Sequence, residues 1–390
     1  MTTSLSERMS SVRPAIIPKV AELIRKSPDT ISLGQGVIFY PPPPESLSSI
    51  EKFGRNQTEH HYKSANGLPK LIDALSIKLE TENSITINEN LTLMVTAGSN
   101  MAFYYCLLAI ADPGDEIILS IPYYFNHEMA ISMANCNAVL VPTDKEYQLD
   151  VDALEAAITR RTKAIVTISP NNPTGAVYPS QTLKQVNELC RQKDIYHISD
   201  EAYEHFTYSD TKHVSPGSFT QNNEHTISIF SFSKSYGLAS WRIGYLVAPS
   251  QIKPALQKAQ DTILICPPVI SQYGAIGALS AGPAYCQSHM KELDKSRSLC
   301  LKYLNDLGKS VSTPRTSGAF YIFSKIDTDL TAIELVEKLI SNHQVAAIPG
   351  EAFGLHDGCF IRIAFGALPI DILRTGMDRL VTGLDLILSR

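Results

Sequence analysis

The 390-residue sequence has no uninterrupted apolar run that approaches the ~20 residues a membrane-spanning helix needs. It also lacks a basic excess. Its 34 Lys and Arg face 39 Asp and Glu, a formal net charge of −5, which argues against a general binder of nucleic acid or anionic membrane. No CxxC pair and no Cys/His cluster with zinc-type spacing occurs, and the seven cysteines are an odd number. They read as reduced, mostly buried thiols of an intracellular protein, not as a disulfide frame or a metal site. The N-terminus, MTTSLSERMSSVRPAIIPKV, lacks the apolar core of a signal peptide, so the expected location is cytoplasmic. Three familiar catalytic signatures are missing too: the GxxxxGKS/T phosphate loop, HExxH and GxSxG. GQG at 34–36 has no third glycine and opens no helix, which makes a nicotinamide site a weak reading.

What is present fits a folded chain of ordinary composition, 44% hydrophobic and 19% charged. Its length suits one large domain plus a smaller one. LTLMVTA (91–97), EIILSIP, AVLVPT, KAIVTISP, IYHISDEAY, TISIFSFSK and RIGYLVAP read as strands. SNMAFYYCLLAIADPG, VDALEAAITRRT and QTLKQVNELCRQKD between them read as helices. The alternation predicts an α/β fold with a mostly parallel sheet between helices, whose ligands gather at the carboxyl ends of the strands. From about residue 285 the pattern changes to a compact α+β unit, through SGAFYIFSKI, TAIELVEKLISNH, QVAAIPG and CFIRIAFG. The expected division is an N-terminal segment, 1–45, that joins the small unit; a large domain, 46–285; and a small C-terminal domain, 286–390. The prolines at 41–44 read as a rigid extended turn.

Four polar stretches stand at the ends of strand candidates: AGSN (97–100), NNPTG (171–175), SDEAY (199–203) and SFSKSYGLASWRIGY (231–245). Brought to one sheet edge, they supply an amine, a carboxylate, an amide, a phenol and an arginine. That set suits a phosphorylated aromatic aldehyde. A lysine amine condenses with an aldehyde to an imine, which exchanges readily with the amine of an amino acid. A carboxylate beside a pyridine nitrogen keeps it protonated, and a helix start with an arginine grips phosphate. Each stretch alone has a plainer explanation as a turn, a cap or a surface charge; their joint order favours the site.

SPNNPTG, SDEAY and SFSKSYGLASWRIGY resemble the signatures of the class I/II, fold-type I aminotransferases that use pyridoxal 5'-phosphate. LGQG, GLPKLIDAL, DPGDEI and FIRIAFG add to the resemblance, in the family's order along nearly the whole chain. It implies a PLP-transferase fold with a seven-stranded type of sheet. By position, Lys234 would form the internal aldimine, Asp200 would pair with the pyridine nitrogen, and Asn172 and Tyr203 would contact the ring oxygen. Tyr124 would stack on the ring. Ser99, Asn100, Ser231, Ser233 and Arg242 would hold the phosphate. Arg362, with Gly36 and Asn172, would bind the substrate carboxylate. Tyr62 would reach the phosphate of a neighbouring subunit, which implies a homodimer with shared sites.

The chain departs from the family at Gly36-Val37-Ile38-Phe39-Tyr40, where many relatives carry a Pro-Asp/Asn-Phe turn. Those apolar residues are expected to form a lid that favours aromatic or aliphatic substrates, because an unpaired buried carboxylate is costly. A loop is expected at 262–274, with Pro267 and Pro268. The expected activity is amino transfer from an L-amino acid to a 2-oxo acid, of aromatic, aliphatic or aspartate type. A lyase or synthase on the same scaffold is the alternative, because both would share the lysine, aspartate and asparagine.

Overall fold

The computed structural model describes residues 6–12, 16–219 and 224–389. Residues 1–5 and 13–15 of the expected N-terminal segment lie outside the described residues. The first strands along the chain are β1 (Ile31–Ser32), β2 (Leu91–Thr96), β3 (Glu116–Ile121) and β4 (Asn137–Pro142). β5 (Thr162–Ile168), β6 (Tyr196–Asp200), β7 (Thr226–Ser231) and β8 (Gly244–Pro249) follow. Seven of them make one sheet in the order β2-β8-β7-β6-β5-β3-β4. β8 runs antiparallel to both neighbours, and every other pairing is parallel.

Continuous apolar runs go with burial on both faces. On β8, Leu246 and Ala248 pack with the helix Ser99–Ile110 on one face. Tyr245 and Val247 pack with the helices Pro69–Asn83 and Val269–Ala281 on the other. This is the two-residue alternation of a strand between two helix layers.

The C-terminal unit contains β9 (Val311–Ser312), β10 (Tyr321–Ile326), β11 (Val345–Ala346), β12 (Ile348–Pro349) and β13 (Cys359–Ala364). Four form an antiparallel sheet in the order β12-β13-β10-β9. β1 pairs in parallel with β11, so the start of the chain is stitched to this unit. The helix Ala332–His343 opens on a capping box: the Thr331 hydroxyl accepts the Glu334 N–H, and the Glu334 carboxylate accepts the Thr331 N–H. No helix among the described residues is long and apolar enough to cross a membrane.

Several local expectations change. The segment before residue 45, for which no helix was expected, contains the helix Ile16–Lys26. Pro44 opens the helix Pro44–Ile50 instead of closing a turn, because a proline at the first helical position loses no hydrogen bond. The segment 262–274 is mostly helical: one helix ends at Leu264 and the next starts at Val269, directly after the proline pair. The helix predicted from Val151 stops at Ala156.

The helices Pro44–Ile50 and Val269–Ala281 cross at Gly277, where a Cβ would run into the backbone of Glu45 and Ser46. Gly277→Ala should therefore lower stability by about 1–3 kcal/mol, read from a urea unfolding midpoint.

Candidate active site

Parallel pairing of β5, β6 and β7, with the antiparallel β8 between β7 and β2, sets the carboxyl ends of β2, β5, β6 and β7 along one sheet edge, beside the amino end of β8. Thr96 and Ser231 both pair with Gly244, and Ile168 pairs with Asp200. This edge opens into a cavity of about 650 Å3. Every residue predicted for the site lines it except Tyr62, which is 78% exposed on the surface.

One end of the cavity is built for an anion. Gly98 (φ 85) precedes the helix Ser99–Ile110, whose first residues, Ser99 and Asn100, line the cavity at the positive end of the helix dipole. A Cβ on Gly98 would collide with the Arg242 guanidinium, so only glycine lets the two approach. Arg242 adopts a left-handed backbone (φ 51), and its Nη1 donates to the Ala239 carbonyl at 2.9 Å. Ser231 accepts the Ser233 N–H at 3.1 Å, which folds the strand end around the same space.

Next to this end stands Lys234, whose Nζ donates to the Gly36 carbonyl. Lys234 is partly buried and lines the cavity. Burial, reinforced by the charges of Arg362 and Arg242 and opposed by Asp200, pulls its pKa from 10.5 to about 8.

Asp200 ends β6. Its Oδ1 accepts the Ala202 N–H at 3.1 Å, so the plain turn role is real, while Oδ2 lies 3.1 Å from His127 Nε2. His127 is 2% exposed, stacked on Phe103 at 4.0 Å between ring centroids and edge-on to Tyr124 at 5.3 Å. Sequence reasoning gave this histidine no function. No ligand spacing marks it, and only the neighbouring positions of β3, β5 and β6 bring it to Asp200. Tyr124 accepts the Asn126 amide at 2.8 Å, and burial raises its hydroxyl pKa.

Arg362 reaches in from β13 and is 3% exposed. Its Nη1 donates to Asn172 Oδ1 at 2.9 Å and Nη2 to the Gly34 carbonyl at 2.7 Å. Its buried Nε has no hydrogen-bond partner. The guanidinium lies 4.4 Å from the centroid of the Tyr321 ring and 5.0 Å from that of Phe353. Asn172 Nδ2 donates to the Tyr203 hydroxyl at 3.3 Å, which lies 2.9 Å from the Tyr321 hydroxyl. Burial, with Tyr321 alongside, pushes the Tyr203 phenol well up, so it stays protonated. Tyr321 also fits Gly36 closely, since a Cβ there would meet its hydroxyl oxygen at 2.7 Å. It was not predicted from sequence, because SGAFYIF reads simply as a buried strand.

The far wall is apolar. Ile17, Val20 and Ile24 reach in from the helix Ile16–Lys26, with Val37, Phe125 and Ile348. Of the four lid residues expected at 37–40, only Val37 lines the cavity. Ile38 and Phe39 pack on the core. Tyr40 stacks on His289 at 4.0 Å and donates its hydroxyl toward the Lys234 and Ser235 carbonyls, at 3.3 and 3.2 Å.

The family model for aminotransferase class I and II matches residues 28–380. The chain belongs to the class I and II aminotransferases. It is 35% identical to an aspartate aminotransferase of Pyrococcus abyssi, over 97% of each chain. It is 31% identical to aromatic-amino-acid aminotransferase 2 of Thermococcus litoralis, again over 97% of each. The structure of a single mutant of Thermus thermophilus aspartate aminotransferase matches with a TM-score of 0.90 at 30% identity, covering 98% of this chain and 100% of that one. These relatives do not favour the lyase or synthase alternative.

The fold is that of the fold-type I enzymes, and this aminotransferase is pyridoxal-phosphate-dependent. The residues fit that cofactor. The Gly98–Arg242 cradle suits a phosphate, and the same cavity is lined by the Asp200 carboxylate, which would suit a ring nitrogen, and by the Lys234 amine of depressed pKa. Bound there, the pyridine ring draws electron density from a substrate Cα and makes its C–H bond acidic.

Only the neutral amine attacks an aldehyde. Cofactor-stripped protein should capture pyridoxal phosphate at a rate that rises about tenfold per pH unit below the amine's pKa and levels off above about 8. Arg362→Gln, by removing a neighbouring cation, should move that midpoint upward. Absorbance-monitored reconstitution across pH measures both.

Proposed function

We propose that this aminotransferase takes its amino group from L-amino acids with aromatic or aliphatic side chains, and that Lys234 is the proton carrier. The observation that carries the reading is the juxtaposition in one cavity of a low-pKa amine, a buried fork and an apolar wall. Arg362 takes the substrate carboxylate through Nε and Nη, a planar two-point grip an ammonium does not reproduce. Gly36 and Asn172 border the same spot. Lys234 Nζ, neutral in a useful fraction near pH 8, accepts the proton from the substrate Cα. Asp200, fixed by His127 and the Ala202 N–H, would keep the pyridine nitrogen protonated. Asn172, Tyr203 and Tyr124 would hold the ring; Ser99, Asn100, Ser231, Ser233 and Arg242 would hold the phosphate.

The side-chain preference follows from what lines the far wall. The cationic side chains around the cavity are Lys234, Arg242 and Arg362, each with a task already assigned. A second carboxylate would lie against Ile17, Val20 and Ile24 without a partner, which is costly. Phenylalanine and methionine should bleach the cofactor's absorbance at lower concentration than aspartate does. A strong preference for aspartate would overturn the assignment. Lys234→Ala should abolish turnover while the fold, followed by circular dichroism, persists; normal turnover would refute the role of Lys234.

The chain is read as three parts, 1–45, 46–285 and 286–390, acting as a cytoplasmic homodimer. Tyr62 supports the dimer, because its exposed phenol lies outside its own subunit's cavity and is free to enter another's. Ile263, Ile265 and Ile270, exposed beside the proline pair, add apolar surface suited to contact. Sedimentation should give twice the 42.9 kDa chain mass, and a monomer at micromolar concentration would exclude the arrangement.

A further inference from the structure

Behind the lysine segment runs a polar chain that the chemistry above does not use. Ser235 Oγ lies 2.8 Å from His205 Nδ1, and His205 Nε2 lies 2.9 Å from Glu82 Oε2. The three residues come from separate segments. Ser235 follows Lys234, His205 lies just past Asp200 and Tyr203, and Glu82 sits in the last turn of the helix Pro69–Asn83.

The same helix and the same turn are clamped a second time. Lys78 Nζ donates to both Glu204 carboxylate oxygens at 2.6 Å and to Asn83 Oδ1 at 2.8 Å. Asn83 Nδ2 donates to Glu204 Oε2 at 2.7 Å. Lys78 is 5% exposed. Burial works against ionising Glu204, but the Lys78 ammonium and neighbouring groups outweigh it and hold its carboxyl at about 2. The clamp is charged and buried, so the helix end gives the histidine a fixed anchor.

A serine, a histidine and an acid in line resemble a hydrolytic triad. Ser235, however, is 1% exposed and does not line the cavity, so its hydroxyl meets no substrate. The tautomer with Nε2–H directed at the Glu82 carboxylate leaves Nδ1 to accept a hydrogen bond from the Ser235 hydroxyl. The ring is also faced by Glu204, whose Oε1 is 4.0 Å from Nδ1, and by the edge-on ring of Tyr236 at 6.2 Å. The Tyr40 hydroxyl holds the Lys234 and Ser235 carbonyls. The lysine segment is thereby gripped through both its backbone and a side chain.

We propose that Glu82, His205 and Ser235 form a strut that fixes the Lys234 segment relative to the Asp200 segment, which makes His205 and Ser235 positioning residues for the lysine amine. The proposal rests on Lys234 being the proton carrier. A displacement of about 1 Å at a reacting group can cost on the order of 10²-fold in rate.

The test uses the cofactor-loaded enzyme with Ser235→Ala, His205→Ala and the double variant. Each single variant should lower kcat about tenfold or more with KM little changed. Each should also displace, in the same direction, the pH midpoint of the bound cofactor's absorbance. The double variant should be no worse than the worse single, as expected for members of one chain. If His205→Ala does not fold, Ser235→Ala decides alone, since it deletes a single hydroxyl. Wild-type kcat and midpoint in Ser235→Ala, or losses that multiply in the double variant, overturn the strut. Failure of the underlying reading shows separately: Lys234→Ala would then keep the wild-type absorbance band and turnover.

Discussion

The site depends on holding one partly buried amine beside two guanidinium groups. Burial and like charge both disfavour the ammonium form of Lys234, and the Asp200 carboxylate opposes them only in part. That balance requires Arg242 and Arg362 to hold their own positions without neutralising partners. Arg242 does so through a left-handed backbone and the Ala239 carbonyl. Arg362 is held by aromatic rings, the Asn172 amide and the Gly34 carbonyl. Both arginines thus sit among neutral groups, and their charge remains directed at the cavity.

The sheet supplies the geometry that makes this arrangement possible. β6, β7 and the amino end of β8 are adjacent, so Asp200, Ser231 and the Arg242 segment arrive within a few strand spacings of one another. The antiparallel entry of β8 lets a short connection carry both Lys234 and Arg242, because the chain turns back at the same edge it has just reached. A parallel strand in that place would need a crossover running back to the opposite sheet edge and would separate the two.

Much of this was legible in the sequence. The strands announced themselves as short apolar runs, and the groups at their ends were polar residues that a buried strand end does not otherwise need. Asp200, Asn172 and Lys234 could be read because each stands in a compact local pattern. His127 and Tyr321 could not, since their neighbours in space, Asp200 and Tyr203, come from other segments of the chain. The helix Ile16–Lys26 was overlooked for a related reason: its apolar stripe faces a cavity assembled by the rest of the chain, and Pro18 disguises its first turn. The apolar stretch at 37–40 was legible as apolar but not as divided. Val37 faces the cavity, whereas Tyr40 is turned inward by its stacking on His289.

The parallel pairing of Ile31–Ser32 with Val345–Ala346 bears on how the molecule is made. On the ribosome β1 emerges before every other strand, yet its hydrogen-bonding edge is supplied by residues translated after the whole seven-stranded sheet. The intervening sheet can fold domain-wise while that strand waits unpaired. Since the following residues include Gly34 and Gly36, which accept from Arg362 and Lys234, the chemical centre is completed only once β13 has been synthesised and has reached them.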